Sequence, residues 1–209
     1  MKLYLFGGAE IQPNQVPCLK KLIKETIVSL RPKQVFHIPF SRLHSTEEDW
    51  KEGWFKKTMN DTGIELLDAR NEKDIQKANK PLIFINGGHG RYDLLYGVKN
   101  NQKILQLVLV ADFIVAESAG SMLMGERQSR SRDKNEIIEG LGILKNTIIE
   151  PHYSERNYQQ LLKQEMEKSG MKYGIGIDCL TAIVVDPKEF PSKWGKIGAG
   201  NVEIVVSEN

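Results

Sequence analysis

Ser118 occupies a position that suits a catalytic nucleophile. It lies in the sequence Ala-Glu-Ser-Ala-Gly at residues 116–120, directly after the apolar run Phe-Ile-Val at residues 113–115. This order predicts a strand, a sharp turn and a helix start, which is the layout of a nucleophile elbow. The usual pattern is Gly-x-Ser-x-Gly, and here Ala116 replaces the first glycine. Because a serine hydroxyl needs a base to take its proton, Ser118 predicts a histidine nearby.

His152 has the best sequence context for that base. It follows Ile-Ile-Glu-Pro at residues 148–151, which reads as the end of a strand. An unperturbed imidazole has a pKa of about 6.5 and therefore accepts a proton at neutral pH. His89, in a glycine-rich loop, is either a rival base or a substrate-binding residue. His37 and His44 are interpreted as packing or loop residues.

Three backbone amides are candidates for an oxyanion hole, those of Gly87, Gly88 and Ala119. The two glycines follow the apolar residues 82–85, and Ala119 follows the proposed nucleophile. Glycine lets the backbone approach a ligand without a side chain in the way. Loss of one such donor typically costs about 3–4 kcal/mol of transition-state stabilisation.

Each of these features also has a structural explanation. A tight turn needs a small residue at 118, glycines often end strands, and His152 alone would read as a surface histidine. Arg156, four residues after His152, either binds a substrate carboxylate or is a solvated surface arginine. The basic run at residues 127–132 predicts a surface loop that either covers the site or is simply solvated.

Alternating strands and helices must position these residues. The strand candidates are residues 2–6, 34–38, 64–67, 82–86, 113–116, 147–150 and 174–177. One helix is predicted from a cap at Ser154 to a stop at Gly170. Short apolar strands separated by helices predict an α/β fold with three layers, a mostly parallel sheet covered by helices on both faces.

The last part of the chain has a different pattern. Residues 181–185 and 202–206 alternate with glycine-rich turns and predict antiparallel hairpin strands at the sheet edge. In doubly wound sheets, ligands bind beyond the carboxyl ends of the strands. The glycine loop, the elbow and His152 all follow strand candidates, so we expect them to converge at one sheet edge. We interpret residues 1–209 as a single domain.

Composition narrows the function classes. The net charge of +2 gives no reason to expect nucleic acid or a membrane as a partner. The N-terminal residues lack a signal-peptide pattern, and no apolar run approaches the ~20 residues of a membrane helix. Two distant cysteines and four histidines without ligand spacing predict a cytoplasmic protein without disulfide, metal or cofactor. The chain is expected to be a monomer or homodimer.

Five segments resemble the serine peptidase family that contains dipeptidase E (aspartyl dipeptidase) and cyanophycinase. They are Gly-Gly-His at 87–89, Glu-Ser-Ala-Gly at 117–120, Glu-Pro-His-Tyr at 150–153, Gly-Ile-Asp-Cys-Leu-Thr-Ala at 176–182 and the hairpin at 198–206. Arg156 matches an arginine of cyanophycinase-like members. The resemblance implies a flavodoxin-like sheet, as in class I glutamine amidotransferases. It also implies a metal-independent Ser-His-Glu mechanism on short peptides or aspartyl-arginine polymers.

The chain departs from this family at the third catalytic position, where Cys179 replaces glutamate. A thiol with a pKa of about 8.5 is mostly neutral at pH 7 and is a poor partner for an imidazolium. Asp178 is adjacent but points to the other side of an extended segment, and Glu150 is its rival. Three outcomes are therefore open. Asp178 or Glu150 serves as the third member, the enzyme works with a Ser-His dyad, or peptidase activity is lost and the protein binds a ligand instead. The sequence predicts a serine peptidase, with a non-catalytic ligand-binding relative as the alternative and an amidotransferase-like enzyme last.

Overall fold

The computed structural model describes residues 1–10, 12, 14–42, 53–129 and 136–207. His44 and residues 130–132 of the basic run lie outside the described residues. The strands are β1 Lys2–Phe6, β2 Gln34–Ile38, β3 Glu65–Asp68, β4 Leu82–Ile85, β5 Phe113–Glu117, β6 Gly125–Gln128, β7 Ile138–Glu139, β8 Leu144–Pro151, β9 Tyr173–Ile177, β10 Thr181–Val185, β11 Trp194–Gly198 and β12 Val202–Val206. The helices are α1 Gln15–Ser29, α2 Trp54–Met59, α3 Glu72–Lys77, α4 Arg91–Lys99, α5 Gln102–Leu109, α6 Ala119–Leu123 and α7 Gln159–Ser169, with a 3-10 turn at Phe40–Arg42.

The strands form two sheets. The first has the order β11-β10-β1-β5-β4-β2-β3. Its strands β1, β5, β4, β2 and β3 are parallel, whereas β10 pairs antiparallel with both β1 and β11. The second has the order β12-β9-β8-β6-β7, with antiparallel strands at both edges. The α/β class and the antiparallel edge strands are thus confirmed. The strands at 181–185 and 202–206 belong to different sheets, and the hairpin partner of β10 is β11.

Helices cover both faces of the first sheet. Leu3 and Leu5 of β1 belong to an apolar cluster with α4 and α5, whereas Tyr4 and Phe6 belong to a second cluster with α1 and α2. Successive residues of a strand point to opposite faces, so the two clusters form the layers above and below the sheet. This packing holds the carboxyl ends of the parallel strands in fixed positions.

The segment after β8 differs from its predicted helical start. Helix α7 begins at Gln159, five residues after the expected cap at Ser154, and it ends at Gly170 as predicted. Asn157 has a φ of 54°, which a right-handed helix does not accommodate. The amide of Ser154 donates to Asp178 Oδ1 at 3.1 Å instead of starting the helix. Arg156 therefore lies in a turn that links β8 to α7.

None of the helices within the described ranges is both long and apolar enough to cross a membrane.

Candidate active site

Ser118 lies on a strained turn between β5 and α6. Its φ is 48° and its ψ is −112°, a conformation that non-glycine residues rarely adopt. The amide of Ser118 donates to Phe6 O at 2.9 Å, and the Ser121 hydroxyl donates to the same oxygen at 2.8 Å. A Cβ at Gly120 would lie 2.5 Å from Ile85 O, so the turn requires this glycine. Ala116 lies earlier, buried within β5, where alanine fits.

His152 lies beside Ser118. Its Nε2 is 3.1 Å from Ser118 Oγ, and its side chain is buried. The two residues come from different sheets, because Ser118 follows β5 and His152 follows β8. The His152 amide donates to Gly7 O at 3.1 Å, which joins the end of β8 to the end of β1. The site thus lies where the ends of two sheets meet, rather than at one sheet edge as expected.

The other ring nitrogen of His152 faces two side chains. Its Nδ1 is 3.2 Å from Cys179 Sγ and 3.3 Å from Glu10 Oε1. Glu10 lies in the loop after β1, and the sequence analysis did not identify it. Its Oε1 also accepts a bond of 2.5 Å from Arg156 Nε. The imidazole is therefore held between the serine hydroxyl on one side and a carboxylate and a sulfur on the other.

Cys179 is a neutral thiol in this environment. Burial, and to a smaller extent the nearby carboxylates of Glu155 and Glu10, together raise the pKa of its thiol to about 12. Glu155 also accepts a bond of 3.0 Å from the Cys179 amide through its Oε1. A protonated sulfur carries no charge to compensate an imidazolium.

Asp178 and Glu150, the two carboxylates proposed earlier as the third member, have different surroundings. Asp178 Oδ1 accepts from the Ser154 amide, and its Oδ2 accepts from the Asn201 amide at 2.8 Å, so Asp178 joins two loops. Glu150 is buried within β8, and burial raises the pKa of its carboxyl to about 8. At neutral pH this carboxyl is largely protonated. The carboxylate that the structure places at His152 Nδ1 is that of Glu10.

The glycine loop lies against the elbow. The Gly87 amide donates to Glu117 Oε1 at 2.9 Å, so this predicted oxyanion donor is already engaged. A Cβ at Gly87 would lie 2.8 Å from Ser118 Cβ, which shows why only glycine fits. Arg42 pairs with Glu117 at 3.4 Å and also donates to Gly87 O. These contacts hold the glycine loop against the elbow that carries Ser118.

Gly8 is a second residue that the sequence analysis missed. It has a φ of 91°, and a Cβ there would lie 2.8 Å from His152 Cε1 and 3.2 Å from Ser118 Cβ. It belongs to the pair Gly7-Gly8, which directly follows β1. The signal that identifies it is a glycine pair at the end of the strand next to β5.

His37, His89 and Arg156 have different surroundings. His89 is exposed in the loop before α4. His37 is buried between Phe55 and Phe84, and its Nε2 is 2.8 Å from Asn86 Oδ1. Desolvation lowers the pKa of His37 to about 4. Arg156 is partly buried and contacts Glu10 rather than standing free on a helix surface.

Glu10, His152 and Cys179 also carry the donor atoms that transition metals prefer, all within 4.8 Å of one another. The guanidinium of Arg156 already places a positive charge on Glu10. We therefore interpret the group as a charge-balanced hydrogen-bond network.

The chain is similar to known peptidases. The sequence model of the family described as Peptidase family S51 matches residues 3–192. A peptidase from an acI-B1 Actinobacterium shares 21% identity and a TM-score of 0.63, over 100% of this chain and 95% of that one. A putative peptidase E protein from Listeria monocytogenes EGD-e shares 18% identity and a TM-score of 0.62, over 95% of this chain and 98% of that one. No curated protein matches the chain in sequence.

Proposed function

The chain belongs to peptidase family S51 and is a serine-type peptidase, and we propose that it hydrolyses short peptides with Ser118 as nucleophile and His152 as base. One observation carries the assignment of these two residues. The hydroxyl of Ser118, held on a strained elbow, lies 3.1 Å from His152 Nε2. This separation is within the hydrogen-bond reach that a nucleophile and its base require.

The proposed reaction has two steps. In the first, Ser118 Oγ attacks the peptide carbonyl while His152 Nε2 takes the hydroxyl proton and then gives it to the leaving amine. In the second, water attacks the acyl-serine ester while His152 takes a proton from that water. His152 then gives this proton to Ser118 Oγ as the ester bond breaks and the peptide acid leaves. Both steps form a tetrahedral oxyanion, which backbone amides stabilise.

We assign the oxyanion donors to the amides of Gly88 and Ala119. The Gly87 amide, the third candidate, supports them indirectly because its bond to Glu117 fixes the glycine loop. The close approach of Gly87 to Ser118 supports a position of this loop beside the elbow. The peptide carbonyl would then lie between the two loops with its carbon facing Ser118 Oγ.

Two side chains are proposed to contact the substrate. Arg156 is about a quarter exposed and shares its charge with Glu10, so a substrate carboxylate would bind it in competition with Glu10. His89 is exposed in the loop that carries Gly88 and would contact the peptide from the solvent side. We further propose that residues 1–209 act as one domain, as a monomer or homodimer. The two free cysteines favour the cytoplasm.

Labelling with a fluorophosphonate probe tests the nucleophile without knowledge of the substrate. We expect one adduct per chain, located on Ser118 by peptide mapping. Ser118→Ala should give none, while Ser29→Ala, a matched serine in α1, should label like the wild type. If the folded wild-type protein forms no adduct, the assignment fails and the ligand-binding alternative is favoured.

A further inference from the structure

We propose that Glu10 is the positioning residue of this site: it orients His152 and balances the positive charge of its protonated ring. It would do the work of the family's glutamate, which Cys179 replaces in this chain. This inference rests on the proposed roles of Ser118 and His152. The residue comes from the loop after β1, whereas the replaced position follows β9. The carboxylate would thus reach the same ring nitrogen from another part of the chain.

The geometry at the imidazole fixes which nitrogen carries the proton. To accept the Ser118 proton, Nε2 must be unprotonated, so Nδ1 must carry the hydrogen of the neutral ring. That hydrogen needs an acceptor, and Glu10 Oε1 at 3.3 Å and Cys179 Sγ at 3.2 Å both lie beside Nδ1. Either contact can hold the productive tautomer.

Of the two neighbours, only Glu10 supplies a negative charge. A thiol sulfur is a weak acceptor, and the buried Cys179 thiol stays protonated at neutral pH. When His152 takes the serine proton, it becomes an imidazolium that a nearby carboxylate stabilises. Cys179 then fills the space beside the ring, and its S–H can itself donate.

The position of Glu10 is fixed from two directions. Arg156 Nε contacts Glu10 Oε1 at 2.5 Å, and the Arg156 amide donates to His152 O at 3.2 Å. Arg156 thus ties the carboxylate to the turn that carries the histidine. The Glu10 amide donates to Gln15 Oε1 at 2.9 Å, which fixes the loop against the start of α1.

The charges around His152 predict the direction of its pH response. Glu10 from the β1 loop and Cys179 from the end of β9 face its Nδ1. The charged groups next to them bind other partners: Arg156 contacts Glu10, Glu155 accepts from the Cys179 amide, and Asp178 accepts from the Ser154 amide. The nearest negative charge is Glu10, which favours the protonated ring, while Arg156 opposes it. Removal of the Glu10 charge should therefore lower the pKa of His152.

The experiment measures the second-order rate of fluorophosphonate labelling from pH 5 to 9. We expect Glu10→Gln to label roughly 10²–10⁴-fold more slowly, because an amide favours the wrong tautomer. The acidic limb of its pH profile should also move to lower pH, which a purely structural defect would not cause. Glu25→Gln removes the same charge at a side chain that is 59% exposed on α1, so its rate should stay within a few-fold of the wild type.

Two further variants separate the role of Glu10 from a folding defect of Glu10→Gln. Adding Cys179→Glu to Glu10→Gln restores a carboxylate at the family's position, and a recovered labelling rate would support the inference. If Glu10→Gln does not fold, Glu10→Asp keeps the charge but shortens the reach, and it should label more slowly with the acidic limb in place. If folded Glu10→Gln labels at the wild-type rate, the role of Glu10 is overturned. The same holds for Glu10→Asp if Glu10→Gln does not fold. Absence of labelling in the wild type would instead overturn the proposed function.

Discussion

Gly8 lies so close to the imidazole of His152 that no side chain fits between them. A Cβ at this position would lie 2.8 Å from His152 Cε1 and 2.9 Å from Nε2, at a φ of 91°. Position 8 thus sets how closely the loop after β1 approaches the catalytic pair. The same loop carries Glu10, so the backbone of this segment shapes both sides of the histidine.

We expect Gly8→Ala to displace His152 from Ser118 and to slow fluorophosphonate labelling by about 10²-fold or more. Gly63→Ala is the matched control, because Gly63 has a φ of 69° but no atom within 4 Å of an added Cβ. Both variants should lose about 1–2 kcal/mol of stability from backbone strain. Only Gly8→Ala should lose labelling, and equal labelling in the two variants would contradict the contact.

Glu117 is expected to support the site through the glycine loop. Its Oε1 accepts from the Gly87 amide and pairs with Arg42. Glu117→Ala leaves a buried amide unsatisfied, which costs about 1–3 kcal/mol, and should slow labelling by roughly tenfold or more. Glu117→Gln keeps an acceptor oxygen and should fall between the wild type and Glu117→Ala. The order of the three labelling rates and thermal unfolding midpoints checks this, and a Gln variant as poor as Ala would contradict it.

The sequence predicted those site residues whose positions follow from the neighbouring secondary structure, and it missed those whose positions depend on contacts with distant residues. Ser118 and His152 directly follow apolar strands, and strand ends in α/β folds meet where ligands bind, so both could be found from the sequence. Glu10 lies four residues beyond β1 in a loop. Its path depends on the contacts of Arg156 and Gln15, which no periodicity reveals. The sequence analysis expected one sheet rather than two for a related reason. An apolar strand has the same sequence pattern whichever sheet it joins.

Cys179 should be chemically inert in the folded protein. Burial raises its thiol pKa to about 12, and the thiolate is the reactive form. Treatment with iodoacetamide at pH 8 should therefore modify Cys18, which is exposed on α1, and leave Cys179 unmodified. Both cysteines should react after denaturation, as peptide mapping can show. Rapid alkylation of Cys179 in the folded chain would mean that it is a thiolate and competes with Glu10 for the charge of His152.

Glu150 should make stability fall as pH rises. Its carboxyl has a pKa of about 8 in the folded chain, against 4.5 as its ordinary value. Between these values the folded state binds more protons than the unfolded state, so the free energy of unfolding decreases with rising pH. The stabilisation is fully present below pH 4.5 and is lost as the pH passes through about 8.

Glu150→Gln tests this linkage, because the amide resembles the protonated acid but cannot ionise. Relative to wild type, the variant should gain about 1–4 kcal/mol of unfolding free energy between pH 5 and pH 8, measured by urea denaturation. Glu25→Gln, at a side chain that is 59% exposed on α1, should show no comparable pH-dependent difference. A constant difference between Glu150→Gln and the wild type across this range would mean that Glu150 is already ionised. It would then be available as a second buried negative charge two residues before His152.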